Sequence, residues 1–259
     1  MDNLTKRTVI SIVSIPIILG LAYLGNSYFL VLCFIIQMFC LFEFYNLFER
    51  NGFRPFKYLS ILFSLMLFLV KYFNTPYLFF ISFLFLFLII TLEIFKGKDS
   101  NPINVFLSIG GILYISIPFI LLSELSSDYR LVFILFILIW TSDTIAYFVG
   151  KYLGKTKLSK ISPGKTVEGA VAGLLASVLC SLIFAKIYFE LITIFDSLII
   201  GLIVGLFGVV GDLFESLIKR YSEVKDSSAI IPGHGGFLDR FDSIIFVTPI
   251  IYIYFHYIK

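Results

Sequence analysis

Charge is what this chain has least of. Only 14% of its 259 residues are Asp, Glu, Lys or Arg, while 59% are hydrophobic; a soluble domain carries about 25% charged residues. One aqueous core could not hide that much apolar surface, so lipid is the expected solvent for most of it. The net formal charge of +3 is small and dispersed, which excludes the electrostatic footprint of a nucleic-acid binder. Cysteine is also scarce. Cys33, Cys40 and Cys180 each lie inside an apolar run with no C-x-x-C spacing, so they read as small buried hydrophobes rather than metal ligands. There is no separate soluble domain, no low-complexity linker and no obvious internal repeat. The basic start, Met1 to Arg7, lacks an A-x-A-like cleavage site downstream and reads as the edge of a retained helix.

What the chain does have is long apolar runs. A membrane span takes roughly 20 residues, and nine such runs occur, near 8–24, 28–48, 58–73, 76–95, 103–123, 130–150, 167–189, 193–217 and 241–258. They show no period-2 alternation, so helices are expected rather than a barrel. With the N-terminus inside, only Lys71, Arg130, Lys186 and Lys259 of the 20 basic residues fall toward the outer face. By the positive-inside rule this predicts a cytoplasmic N-terminus, an outside C-terminus and an odd number of spans. The expected fold is therefore an all-α integral membrane bundle of about nine transmembrane helices. Residues 1–130 read as a lipid-facing scaffold. Residues 131–259 read as a catalytic region with two long cytoplasmic loops, 151–166 and 218–240. Loops longer than a connection needs are usually functional.

Polar residues concentrate in that second region. Glu43 and Glu93, in the first, sit near the inner ends of their helices and read as structural. Asp143 lies inside an apolar span among Thr141, Ser142 and Thr144; an ionisable group at membrane depth is a functional candidate by default. Ser162-Pro163-Gly164-Lys165-Thr166 resembles the end of a Walker A loop, but Ser159 stands where the first glycine belongs and no strand precedes it. A Gly turn, a lysine and a hydroxyl at a helix N-terminus still make an anion site. The densest stretch runs from Gly211 to Asp242. Asp212, Glu215 and Lys219 share one helical face, and Asp239 and Asp242 share another. The Gly/Pro-rich residues 232–236 can turn the chain so that the two carboxylate arms meet. Paired carboxylates beside Lys and Arg suit a hard divalent cation with substrate phosphates.

The residues from Ser216 through Ile218-Lys219-Arg220, Lys225-Asp226, Ser228, Ile231-Pro232, His234-Gly235-Gly236-Phe237 and Asp239-Arg240-Phe241-Asp242 resemble the signature of the phosphatidate cytidylyltransferase (CDP-diacylglycerol synthase) family. Asp143 to Tyr147 and Ser162 to Thr166 are also similar to that family, although Ile145 stands where a small residue is common. The resemblance covers roughly residues 137–259. It implies cytidylyl transfer from CTP to phosphatidate, giving CDP-diacylglycerol and pyrophosphate with Mg²⁺, a second cation alongside being an option. It further implies Asp212 and Asp239 as metal ligands. Lys219, Arg220, Lys225, His234 and Arg240 are the accompanying catalytic candidates. Asp143, Ser162, Lys165, Thr166, Ser216, Asp226 and Asp242 are the substrate-binding candidates. The implied partners are CTP and phosphatidate in the cytoplasmic (inner) membrane, with no nucleic acid, the site facing the cytosol and a homodimer left open. A related lipid or polyprenol kinase would instead move the γ-phosphoryl group. A CDP-alcohol phosphotransferase would need D-G-x-x-A-R, which is absent. A transporter would more often carry broken helices in both halves.

Overall fold

A computed structural model describes residues 3–188, 190–231, 233 and 235–259, and the side chains within them except those of residues 3–9, 11, 26 and 79. The described residues form helices and loops with no β-strand; two isolated antiparallel bridges, Lys157 with Thr166 and Ile231 with Gly235, are the extended pairings. In chain order the helices are α1 (Asn3–Leu24), α2 (Asn26–Glu49), α3 (Lys57–Tyr72), α4 (Leu78–Ile94) and α5 (Pro102–Leu125). They continue with α6 (Tyr129–Leu153), α7 (Val167–Ile187), α8 (Ile194–Tyr221) and α9 (Leu238–Ile258). Each apolar run in the sequence falls on one of these helices. Among the described residues, six helices (α2 and α5 to α9) are long and apolar enough to cross a membrane, whereas α3 and α4 are shorter, at 16 and 17 residues. The chain is thus a polytopic helical membrane protein.

Small residues set how closely the second half packs. In α7, Gly169, Gly173, Ser177 and Ser181 recur every fourth position, on one stripe of the helix. A Cβ added at Gly173 would stand 2.9 Å from the Ser142 carbonyl oxygen of α6. Farther along, the Ser177 hydroxyl donates to the Gly201 carbonyl of α8 at 2.8 Å. Helix α7 is therefore wedged between α6 and α8. Lipid offers no hydrophobic drive between helices, so close van der Waals approach and interhelical hydrogen bonds hold such contacts.

The first half packs differently, through large side chains. Phe63 stacks on Phe85 at 4.1 Å between α3 and α4, and Phe34 meets Phe68 edge-on at 5.4 Å between α2 and α3. Helix α5 carries a π-helical turn, Ile112–Ser116. From it Tyr114 packs against Phe214 of α8 and Phe246 of α9, at 5.2 and 5.9 Å. Glu93, buried at the end of α4, accepts from the Asn101 backbone N–H (2.7 Å), Asn104 Nδ2 (2.9 Å) and Lys96 Nζ (2.6 Å), fixing the turn into α5.

Candidate active site

The site begins where α8 and α9 cross. A Cβ on Gly211 would lie 2.5 Å from the Asp242 carbonyl oxygen, so only glycine lets the two backbones approach this closely. The next residue, Asp212, is thereby set beside Asp242. Glu215, one turn farther along α8, completes a group. One oxygen from each of Asp212, Glu215 and Asp242 lies within 4.8 Å of the others.

Glu215 is sealed from solvent, and neither of its oxygens has a hydrogen-bond donor among the described residues. Lys219 Nζ stands 2.5 Å from Glu215 Oε2 as an ion pair, but off the geometry of a hydrogen bond. The same ammonium donates to Asp239 Oδ1 at 2.6 Å. Asp239 Oδ2 accepts from the Ser227 and Gly236 backbone N–H groups at 2.9 and 2.8 Å and from the Ser227 hydroxyl at 2.9 Å. Asp212 is half-buried and ion-paired to Lys165, and the Ser216 hydroxyl points toward it at 3.4 Å. Asp242 is buried and accepts from the Ser243 N–H at 2.7 Å.

Loop 151–166 is folded back so that Lys165 can reach Asp212. Leu158 N–H donates to the Lys165 carbonyl and Val167 N–H to the Thr156 carbonyl, both at 2.9 Å. Ser162 accepts through its carbonyl from the Lys165 N–H (3.1 Å), closing the turn at Pro163-Gly164. Thr166 caps α7 by accepting from Gly169 N–H at 3.1 Å. This is the turn, lysine and hydroxyl expected of an anion site, with the lysine now on a carboxylate.

A cavity of about 1180 Å³ adjoins these groups, with Glu215 behind its wall rather than on it. It is lined by Asp143, Lys165, Thr166, Asp212, Lys219, Asp226, Asp239, Arg240 and Asp242. It is also lined by Ile15, Ile18, Leu32, Ile36 and Trp140, from α1, α2 and α6. Asp143 is exposed along this cavity, which explains how a carboxylate survives inside an apolar helix. Arg240 is exposed and has no ion-pair partner among the described residues.

Among the described candidates, Arg220, Lys225, Ser162 and Ser216 are not on that lining, Ser216 still lying beside Asp212. Arg220 is exposed and turned onto main-chain carbonyls, Val224 at 3.0 Å and Ile161 at 3.4 Å, bracing one loop against the other. Lys225 is exposed and outside the cavity lining. His234 lies outside the described residues. Two groups named in the sequence were not among its site candidates. Glu215 carried a signal, its i+3 spacing from Asp212 on an otherwise apolar face. Glu43 carried none, because its partners lie more than 180 residues away.

The cation expected from the sequence can be tested against the donors present. Three carboxylates within 4.8 Å, one with both oxygens lacking hydrogen-bond donors, fit a divalent ion: buried like charges are tolerated only when a cation compensates them.

Residues 5–258 match the profile of the Cytidylyltransferase family. Among curated proteins, a Phosphatidate cytidylyltransferase of Bacillus subtilis (strain 168) is 42% identical over 128 residues, 48% of each chain. One of Staphylococcus aureus (strain COL) is 38% identical over 144 residues, 55% of each chain. One of Synechocystis sp. is 40% identical over 119 residues, 46% of this chain and 41% of the relative. The matched stretch spans about half the length of these relatives. Because the profile runs nearly from end to end, through α1 to α5 as well as the carboxylate cluster, the chain belongs to the cytidylyltransferase family.

Proposed function

We propose that the protein transfers the cytidylyl group of CTP to phosphatidate, forming CDP-diacylglycerol and pyrophosphate. The observation that carries this reading is the composition of one cavity. Carboxylates and basic side chains line part of it, and apolar side chains, those of α1 and α2 among them, line another part. A lipid phosphate and a nucleotide triphosphate need those two surfaces together. The names of the relatives point the same way.

Asp212 and Asp239 are the carboxylates on which the cation site depends: Asp212 within the group of three, Asp239 through Lys219, which it shares with Glu215. A bound Mg²⁺ supplies charge neutralisation for the phosphates, as metal ions do in phosphoryl and nucleotidyl transfer. The chain's own residues do the rest. Lys165, Lys219 and Arg240 take up the anionic oxygens of the two substrates; Lys225 meets the triphosphate from outside the cavity. Asp143 and Asp226 orient groups at the cavity wall, and Ser216 steadies Asp212. The reaction is in-line attack: a phosphatidate oxygen bonds to the α-phosphorus of CTP as the bond from that phosphorus to the α,β-bridging oxygen breaks. Pyrophosphate leaves with those electrons. A phosphate monoester is already ionised at neutral pH, so no strong general base is required, and catalysis rests on positioning and charge.

The topology completes the reading. All nine helices among the described residues are assigned to the membrane, α3 and α4 being the short ones. The N-terminus lies in the cytoplasm and the C-terminus outside, in the cytoplasmic membrane. Residues 1–130 form the scaffold and 131–259 the catalytic region. With purified protein, phosphatidate and Mg²⁺, CTP labelled in the base is expected to label the lipid, and γ-labelled CTP to label only pyrophosphate. Transfer of the γ label to lipid would reveal a kinase, and no labelled lipid with any divalent cation would overturn the assignment.

A further inference from the structure

The first half of the chain was expected to be scaffold, yet Glu43 reaches from α2 into the signature segment. It is 1% exposed and has no cation within ion-pair distance among the described residues. Its two oxygens accept four hydrogen bonds instead. Oε1 takes the Ser228 hydroxyl (2.6 Å) and the Phe237 N–H (3.0 Å). Oε2 takes the Ser227 hydroxyl (2.8 Å) and the Leu238 N–H (2.8 Å).

Two of those donors are orphan amides at the start of α9, which has no side-chain N-cap of its own. Glu43 therefore caps α9 from another helix, and the positive end of the helix dipole compensates its charge. The other two donors lie at the far end of the loop that leads into α9. A single carboxylate thus pins both ends of residues 227–238. The fit leaves no slack: a Cβ on Gly236 would stand 2.3 Å from Glu43 Oε2 and 2.1 Å from Ser227 Oγ. One helical turn before Glu43, Phe39 stacks on Phe237 at 4.7 Å with the rings 12° from parallel.

The single proton of the Ser227 hydroxyl is shared between Glu43 Oε2 and Asp239 Oδ2, which lie 2.8 and 2.9 Å from its oxygen. From Asp239 the chain of contacts continues through Lys219 to Glu215. We infer that Glu43 is a positioning residue for the transfer reaction: through Ser227 and the first turn of α9 it holds Asp239, Arg240 and Asp242 in register with α8. This inference rests on the proposed cytidylyl transfer.

A glutamine at position 43 would turn an –NH₂ group toward a backbone N–H that cannot rotate away, whereas a serine hydroxyl could adjust. Misplacement by about 1 Å costs on the order of 100-fold in rate. Wild-type protein, Glu43→Gln and Ser227→Ala are compared in the same membranes for CDP-lipid formation per folded molecule, melting temperature and amide hydrogen exchange over residues 227–238. For Glu43→Gln, the expected result is a kcat loss on the order of 100-fold, with KM for CTP changed far less and exchange over 227–238 accelerated. Ser227→Ala should lower kcat in the same sense, and the double variant should be no worse than the poorer single variant, because both break one connection. A folded Glu43→Gln enzyme with kcat near that of the wild type would overturn the inference. If Glu43→Gln does not fold, unchanged kcat in Ser227→Ala overturns it instead. Failure of the underlying reading looks different: the wild-type protein itself would make no CDP-lipid.

Discussion

Glu43 and Glu215 are both sealed from water, and they face opposite situations. Glu43 accepts four hydrogen bonds where α2 meets the start of α9. Glu215 accepts none, and it lies among two further carboxylates where α8 crosses α9. A buried carboxylate with its acceptor capacity filled by fixed donors is a strut. One with empty acceptor capacity, next to Asp212 and Asp242 and only partly compensated by Lys219, is poised for a cation. In the proposed reaction the first half of the chain supplies a brace and part of the apolar wall, and the second supplies the charged surface. Their packing differs accordingly, with bulky aromatic contacts between α2, α3 and α4 and a Gly/Ser stripe that lets α6, α7 and α8 close up.

The most severe challenge to this contrast is removal of charge from the reacting surface. Asp212→Asn and Asp239→Asn should each lower kcat by roughly 100- to 1000-fold, the range for losing one electrostatic contact to a transition state. Membrane insertion and expression should be retained. Substantial activity in both variants would mean that the carboxylate cluster is not where chemistry occurs. A smaller effect is expected at Arg240, the cavity cation that has no carboxylate partner among the described residues. Arg240→Ala should weaken apparent binding of an anionic substrate by about tenfold, the value of one charge-assisted contact, read as a rise in KM. An unchanged KM for both CTP and phosphatidate would remove it from the binding surface. The smallest effect is expected at Arg220. Its guanidinium is spent on the carbonyls of Val224 and Ile161, so Arg220→Ala should lower the melting temperature by a few degrees, as loss of about 1 kcal/mol does, and change kcat by less than about fivefold. A kcat loss as large as that of Asp212→Asn would show that the side chain swings into the cavity.

The legible part of the molecule follows from local pattern. Apolar runs of membrane length leave a continuous trace, and each of the nine runs coincides with a helix to within a few residues. The i, i+3, i+7 spacing of Asp212, Glu215 and Lys219 correctly placed them on one face of α8. The turn at Ser162 to Thr166 was visible as an anion-site pattern, and Lys165 does arrive at the acidic cluster. The sequence could not reveal where side chains separated by most of the chain would meet. Glu43 read as structural near the inner end of its helix, but its donors at Ser227, Ser228, Phe237 and Leu238 lie more than 180 residues away. Nor could it reveal that Asp239 hydrogen-bonds to Lys219 while Asp242, one turn later, joins Asp212 and Glu215. Both lie on one face of α9, and only the close approach permitted by Gly211 decides which faces the group. Arg220 shows the same limit. Adjacent to Lys219 in sequence, it points about 100° around the helix, toward the loops rather than the cluster.

The contrast between the two buried glutamates is tested most directly by cation binding without substrates. Wild-type, Glu215→Gln and Glu43→Gln proteins are titrated with Mn²⁺ and the free ion is followed by electron paramagnetic resonance. The expected result is saturable binding to the wild type, weakened by about tenfold or more in Glu215→Gln, as loss of one ligating charge implies, and altered much less in Glu43→Gln. Equal Mn²⁺ affinity in wild type and Glu215→Gln would contradict the assignment of that buried carboxylate group as the cation site.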